Sequence, residues 1–357
     1  MADTQRKAIM IHSPHSGRSA YLPDALTQLH AAGIEIVEQH AIAELDDLPP
    51  QGSQWKKHGI DLAIAAGGDG LIGGVITHIA ESGLPLGILP LGTSNDIARS
   101  LNIPLKLDLA ARTISEGSVK EVDIGVAKPA EQAPHHASKG SLAPVLDRVS
   151  TGKHGYFAHA LTTGLNVQFA RVATNVATRM RYGRLTYPIA ALETLKYHDP
   201  LDVTLLLEGL AFPAPTGQQG NDSKELHSLS YRVLQIAIIN APIFGGQWKI
   251  AVPDASISDR LLDIIVIEEI ELARLNAALA RFFNSRGQDR ASNGDQRHPA
   301  DLSAIPGIHH FQARGAFIST NADPRHVTLD GEVRGQTPIY THMAEERLRV
   351  MVPGNAR

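Results

Sequence analysis

The chain has 357 residues, with 33 Lys and Arg against 37 Asp and Glu for a formal charge of −4, 43% hydrophobic and 20% charged residues, and no cysteine. This composition excludes a coiled coil, a collagen-like chain and a wholly disordered one, and its near-neutral balance argues against broad nucleic-acid binding, which needs concentrated positive charge to displace counterions. Without cysteine there are no disulfides, thiolate zinc sites or cysteine nucleophiles, as expected of a protein in a reducing cytoplasm.

In chain order, the first third alternates aliphatic runs at residues 8–11, 34–37, 62–66 and 86–89 with amphipathic stretches at 20–32, 71–81, 95–101 and 107–116. The runs have the length and composition of buried parallel strands, and the stretches between them predict helices. Such alternation predicts a doubly wound, Rossmann-like α/β domain, in which ligands bind where strand ends lead into helices. Residues 129–153, rich in Ala, Pro, Ser, His and Lys, read as a loop or insertion. Beyond them the chain is strand-heavy, at 155–161, 201–207, 231–239, 261–267, 311–319 and 325–329, with one helical excursion over 167–197. This predicts a C-terminal antiparallel, β-sandwich-like domain. Residues 213–223 and 284–299 read as solvated loops. The α/β domain is expected over 1–126 with a C-terminal return at 339–357, and the β-rich domain over 127–338.

No stretch reaches the roughly 18–20 apolar residues of a membrane-spanning helix, and the start of the chain lacks the apolar core of a secretory signal. Contact with a membrane is therefore expected from the surface. The 17 histidines form no H-E-x-x-H pattern, and His135-His136 and His309-His310 read as solvated loop residues.

The strongest local signal is Gly67-Gly68-Asp69-Gly70, between a buried strand and a helix. Glycines let backbone approach a ligand closely, and the amides at the helix start favour phosphate. Asp69 would suit Mg²⁺ or a ribose hydroxyl; the simpler reading is a tight turn with Asp69 capping the helix. No P-loop pattern occurs. Gly68 to Gly73 matches G-x-G-x-x-G, but it follows the third strand and lacks the ribose-binding carboxylate a dinucleotide site needs after the next one. A second loop, Leu89-Pro90-Leu91-Gly92-Thr93-Ser94-Asn95-Asp96, follows the neighbouring strand, with Thr93 able to hold phosphate and Asn95 or Asp96 able to cap the next helix. Ser13-Pro14-His15-Ser16-Gly17 makes a third small-residue turn on the same edge.

Together these two loops resemble the catalytic domain of the diacylglycerol kinase family, which includes sphingosine kinases, ceramide kinases and soluble bacterial lipid kinases. Asn240-Ala241-Pro242-Ile243-Phe244-Gly245-Gly246, the aspartate loop from Pro253 to Asp263, and Leu329-Asp330-Gly331-Glu332 resemble its later motifs, in family order. The resemblance implies a nucleotide domain and a lipid-substrate domain with the active site in the cleft between them. It implies that Ser13, Gly17, Gly67, Gly68, Asp69, Gly70, Leu71, Gly73, Thr93, Asn95 and Asp96 form the ATP site. Glu332 would accept the proton of the lipid hydroxyl with Asp330 beside it. Ser256, Asp259 and Leu261 would hold a structural Mg²⁺, the first and last through backbone oxygens. A cytoplasmic protein docking peripherally on the inner membrane face is implied, with the basic stretch 167–197 as a membrane contact and self-association into a homodimer left open.

The chain also departs from that pattern. Leu71, Gly73 and Gly74 stand where Thr and Asn-Glu are usual, removing polar groups worth about 1–3 kcal/mol each when buried and partnered. Arg260 replaces a glycine of the aspartate loop, His12-Ser13-Pro14 replaces Asn-Pro, and a nucleotide-contacting Thr has no match near His40. Two rivals to an ATP-dependent lipid kinase therefore stand. One is a non-catalytic lipid- or nucleotide-binding protein on the same scaffold. The other is a kinase of a soluble substrate, like the NAD kinases, which share the Gly-Gly-Asp-Gly loop.

Overall fold

A computed structural model describes residues 5–14, 19–130, 155–165, 200–211, 226–244, 250–252, 254–269, 307–321 and 323–354. The first lobe holds β1 (Arg6–His12), α1 (Leu22–Ala31), β2 (Ile34–Ala41), α2 (Ile42–Leu45), α3 (Gly52–Lys57), β3 (Leu62–Gly67), α4 (Asp69–Ile79), β4 (Leu86–Pro90), α5 (Asp96–Ser100), α6 (Leu107–Glu116) and β5 (Ser118–Val122). Its sheet runs β2-β1-β3-β4, all parallel, and continues through a late strand to β5. Alternation decides the layers. Ala8, Met10, Leu62 and Ile64 face α1 and α6, whereas Ile9, Ile11, Ala63 and Ala65 face α4. Helix α4 is apolar nearly all round because it lies between this sheet and the second lobe. Its Ile72, Val75, Ile76 and Ile79 are at most 1% exposed, each contributing about 1.5–3 kcal/mol by burial. The same core continues into Tyr156, Ala158, Ala241 and Ile257 of the second lobe.

That lobe contains β6 (Gly125–Pro129), β7 (Gly155–Phe157), β8 (Ala160–Gly164), β9 (Leu201–Glu208), β10 (Leu226–Ile239), the short pair β11 (Ile243–Phe244) and β12 (Ile250–Ala251), β13 (Leu262–Glu268), β14 (Ile308–Ala313), β15 (Gly315–Thr320), β16 (His326–Leu329), β17 (Glu332–Gln336) and β18 (Ile339–Met343). Apart from the β11–β12 pair, they form one antiparallel 11-stranded sheet folded on itself. The long β10 carries the fold: its first half pairs with β9 and its second half with β8 and β13. The chain then returns to the first sheet as β19 (Leu348–Val352), parallel to β4 and antiparallel to β5.

Several details differ from the sequence-based expectations. The chain enters the second sheet at Gly125 and leaves it after Met343, so the return expected from 339 begins after β18. The strand expected over 155–161 is interrupted at Ala158-His159, whose amides are drawn to the Asp330 carboxylate. The strand expected over 311–319 is two strands, divided at Arg314, where the chain exchanges β13 for β9 and β18 as partners. His309 and His310 are not loop residues but lie in β14, and His310, 8% exposed, holds the buried Asp263 carboxylate at 2.8 Å. Gly17, the expected helix over 167–197 and the loops at 213–223 and 284–299 lie outside the described residues, as do 131–153 of the expected insertion.

Candidate active site

The two glycine-containing bends sit side by side at the carboxyl ends of β3 and β4. The Gly67 carbonyl accepts the amides of Leu91 and Gly92, at 3.0 and 3.1 Å. A Cβ on Gly92 would stand 2.4 Å from the Gly68 Cα, so this contact requires glycine. Asn95, at φ 51°, closes the second bend by accepting from the Gly92 amide and donating to the Gly92 carbonyl. Asp69 does cap a helix, but not its own. Its two carboxylate oxygens take the amides of Asp96 and Ile97 at 3.1 and 3.0 Å, so its charge lies at the start of α5 and joins the bends. Thr93 is exposed at the tip of the second bend, and Ser13 is half-buried at the end of β1. Leu71 is 5% exposed and packs over Gly67, so only its backbone is available to a ligand.

Opposite these bends stands a hairpin. Asp330 and Gly331 form its two-residue turn with φ of 49° and 90°, the left-handed pair that Asp-Gly accommodates well. The turn expected from composition is therefore present, and it is anchored. The Asp330 carboxylate, 7% exposed, accepts the amides of Ala158, His159 and Ala160, each at 2.9 Å. Burial pushes its pKa up to about 6, against the opposing pull of His159 and those three amides. With both oxygens engaged, the Asp330 carboxylate fixes the position of the turn. Glu332 is the carboxylate presented outward, its side chain 51% exposed and forked to Arg334 at 2.6 and 3.1 Å.

Hairpin and helix meet at Gly70 and at positions 73 and 74, where the resemblance predicts Asn and Glu. A Cβ on Gly70 would lie 2.8 Å from Glu332 Oε1, one on Gly73 would lie 2.9 Å from Asp330 Oδ2, and one on Gly74 would lie 3.6 Å from Arg334 Nη2. Residues 70, 73 and 74 share one face of α4. Their missing side chains make the groove in which the hairpin sits.

His159 joins the two halves, and sequence reasoning did not single it out. Buried at 6% exposure, its Nε2 lies 3.1 Å from the Ile243 carbonyl and 3.7 Å from Asp96 Oδ2. Its place immediately before the strand that holds Asp330 was its only signal. Asn240, fully buried, donates to the carbonyls of Asp123 and Ala158 and ties the crossover to the same strand.

The residues expected to hold a structural Mg²⁺ make local hydrogen bonds within the aspartate loop. Ser256 Oγ accepts the Ser258 amide and Asp259 Oδ1 accepts the Leu261 amide. Among the described residues no three acidic or histidine side chains converge on a metal position. The Asp259 pKa is raised, first by burial and then by the Asp263 and Asp123 charges. Asp123, fully buried, is matched by guanidinium groups instead. Oδ1 is 3.0 Å from Arg347 Nε and 3.7 Å from Arg260 Nη1 without hydrogen-bond geometry, and Oδ2 accepts the Arg260 amide at 2.7 Å. Arg260 also donates to the carbonyls of Ala344 and Glu345.

A parallel-sheet lobe with paired glycine bends, faced by an acidic hairpin from a β-rich lobe, defines a two-domain scaffold of the kinase type. Residues 7–127 match the diacylglycerol kinase catalytic domain, and residues 159–352 match the YegS C-terminal NAD kinase beta sandwich-like domain. The chain belongs to the diacylglycerol kinase family that joins these two domains. A diacylglycerol kinase of Staphylococcus saprophyticus is 25% identical over 360 residues, covering 99% of this chain and 97% of that protein. One from Staphylococcus aureus is 26% identical over 358 residues, covering 98% and 94%. A Bacillus anthracis crystal structure assigned to the diacylglycerol kinases shares the fold, with a TM-score of 0.61, 20% identity and coverage of 99% of this chain and 97% of that one.

Proposed function

We propose that this protein is an ATP-dependent kinase that transfers the γ-phosphate to a hydroxyl of a diacylglycerol-like lipid. The observation that carries this reading is the seating of Glu332 against Gly70, at the first turn of α4 and beside the paired bends. Amides of that first turn have no partners within the helix and suit phosphate oxygens. Glu332 would then face the terminal phosphate, where phosphoryl transfer needs an oriented nucleophile more than covalent chemistry. In the step, the lipid O–H gives its proton to the Glu332 carboxylate, a bond forms between the lipid oxygen and the γ-phosphorus, and the bond from the γ-phosphorus to the β-phosphate oxygen breaks to leave ADP. Mg²⁺ would enter with the nucleotide phosphates.

The lipid acceptor fits the names of the staphylococcal relatives and the first matched domain. Among the described residues no helix is long and apolar enough to cross a membrane, so a bilayer substrate would be met by docking at the surface. The test is incubation with γ-labelled ATP, Mg²⁺ and diacylglycerol in mixed micelles, alongside a total lipid extract. Label in a lipid phosphate is expected. Label only in a soluble acceptor would give a kinase of another substrate class, and nucleotide binding without any product would make the protein a binder.

A further inference from the structure

Arg334 lies just beyond the Leu329–Glu332 motif that carries the resemblance. It stands on β17 two residues beyond Glu332, its side chain 32% exposed, with Nε and Nη2 both directed at one oxygen, Glu332 Oε2. No other hydrogen bond from its guanidinium is made to the described residues, which leaves part of a five-donor fork without an acceptor among them. Its Nη2 would be 3.6 Å from a Cβ on Gly74, a position where the resemblance predicts an acid and where Ile42 packs closer still, at 3.0 Å. A glutamate there would compete with Glu332 for the guanidinium. Through Glu332, which is seated at Gly70, the guanidinium stands one turn along α4 from the helix start where a terminal phosphate would lie.

We infer that Arg334 reads the γ-phosphate of the bound nucleotide, exchanging its pairing with Glu332 for the phosphate oxygens and so freeing Glu332 to accept the substrate proton. The geometry suits this exchange, because a guanidinium fork binds phosphate as it binds carboxylate and a triphosphate terminus carries more charge than one carboxylate. This inference rests on the nucleotide reading of the site, and it makes Arg334 the group that tells a triphosphate from a diphosphate.

Binding of a non-hydrolysable ATP analogue and of ADP, each with Mg²⁺, to the full chain by titration calorimetry tests it without relying on turnover. Arg334→Ala is expected to weaken the analogue at least ~10-fold, the scale of one charge-assisted contact, while ADP affinity stays within about 2-fold. Arg334→Lys, which keeps the charge but not the fork, is expected to lose analogue affinity by about 3-fold with ADP unchanged, and it decides the matter should the alanine variant fail to fold. Equal losses for both nucleotides, or no loss for the analogue, would overturn the role of Arg334. A wild-type chain that binds neither nucleotide would instead remove the underlying reading, and this inference with it.

Discussion

At the scale of single residues, the two carboxylates of the hairpin have separate duties set by their surroundings. Glu332 faces the cleft, and Glu332→Gln is expected to retain nucleotide binding, tightened if anything by the release of Arg334, while turnover falls at least ~100-fold, read from initial rates of lipid phosphorylation. Asp330 is buried under three amides, and its carboxyl is pushed up to about 6 from a reference of 3.8. The sign follows from burial. Below pH ~4 the group is neutral whether the chain is folded or not, so it costs nothing; as pH rises through about 6 the folded chain must ionise it in place. Its contribution to stability should therefore fall between pH 4 and 6, by on the order of 2–3 kcal/mol. Asp330→Asn should abolish that slope in urea-melt profiles, while placing an amide donor against backbone donors at a cost of about 1–3 kcal/mol.

Helix α4 and the hairpin form a matched pair of elements, and the missing polar side chains at 73 and 74 are what allow the match. Asp330 is held by backbone on three sides and cannot move away from a Cβ introduced at Gly73, which would stand 2.9 Å from its Oδ2. Gly73→Ala should therefore displace the hairpin, lowering stability by about 1–3 kcal/mol and reducing turnover more than nucleotide affinity. An unchanged melting temperature and rate would show that the hairpin does not seat there. Asp69 belongs to this scale too. Because it caps α5, Asp69→Ala should cost about 1–2 kcal/mol in stability by loosening the second bend, over and above any effect on nucleotide.

Over the whole molecule, the cleft is set by the two crossings between lobes, and a buried carboxylate held by two partly exposed guanidinium groups fastens both. Asp123 lies on the outgoing crossing, Arg347 on the returning one, and Arg260 reaches from the aspartate loop to the Ala344 and Glu345 carbonyls. The combined change Arg260→Ala with Arg347→Ala would strand the Asp123 carboxylate in the core and is expected to cost about 3–5 kcal/mol, read as a lower denaturant midpoint. Since guanidinium groups already supply the positive charge, Mg²⁺ added without nucleotide should change the melting temperature little. A saturable rise of several degrees would show that a cation also serves this joint.

Much of this was determined by the sequence alone, and for a local reason. Strand and helix periods, the Gly-Gly-Asp-Gly and Pro-Leu-Gly-Thr bends and the Asp-Gly turn are short-range patterns, each written in a few consecutive residues. They sufficed for the two-lobed architecture, for the family, and for Glu332 and the glycine bends as candidates. Tertiary structure alone decided what each polar side chain faces. Asp69 satisfies the neighbouring helix, Asp330 gathers amides from the bend between β7 and β8 and from the start of β8, His310 is buried on Asp263, and glycines at 70, 73 and 74 become a seat only when a hairpin some 260 residues away descends on them. Those partners are set by packing between distant segments, because a buried charge takes whichever donors the fold brings within reach.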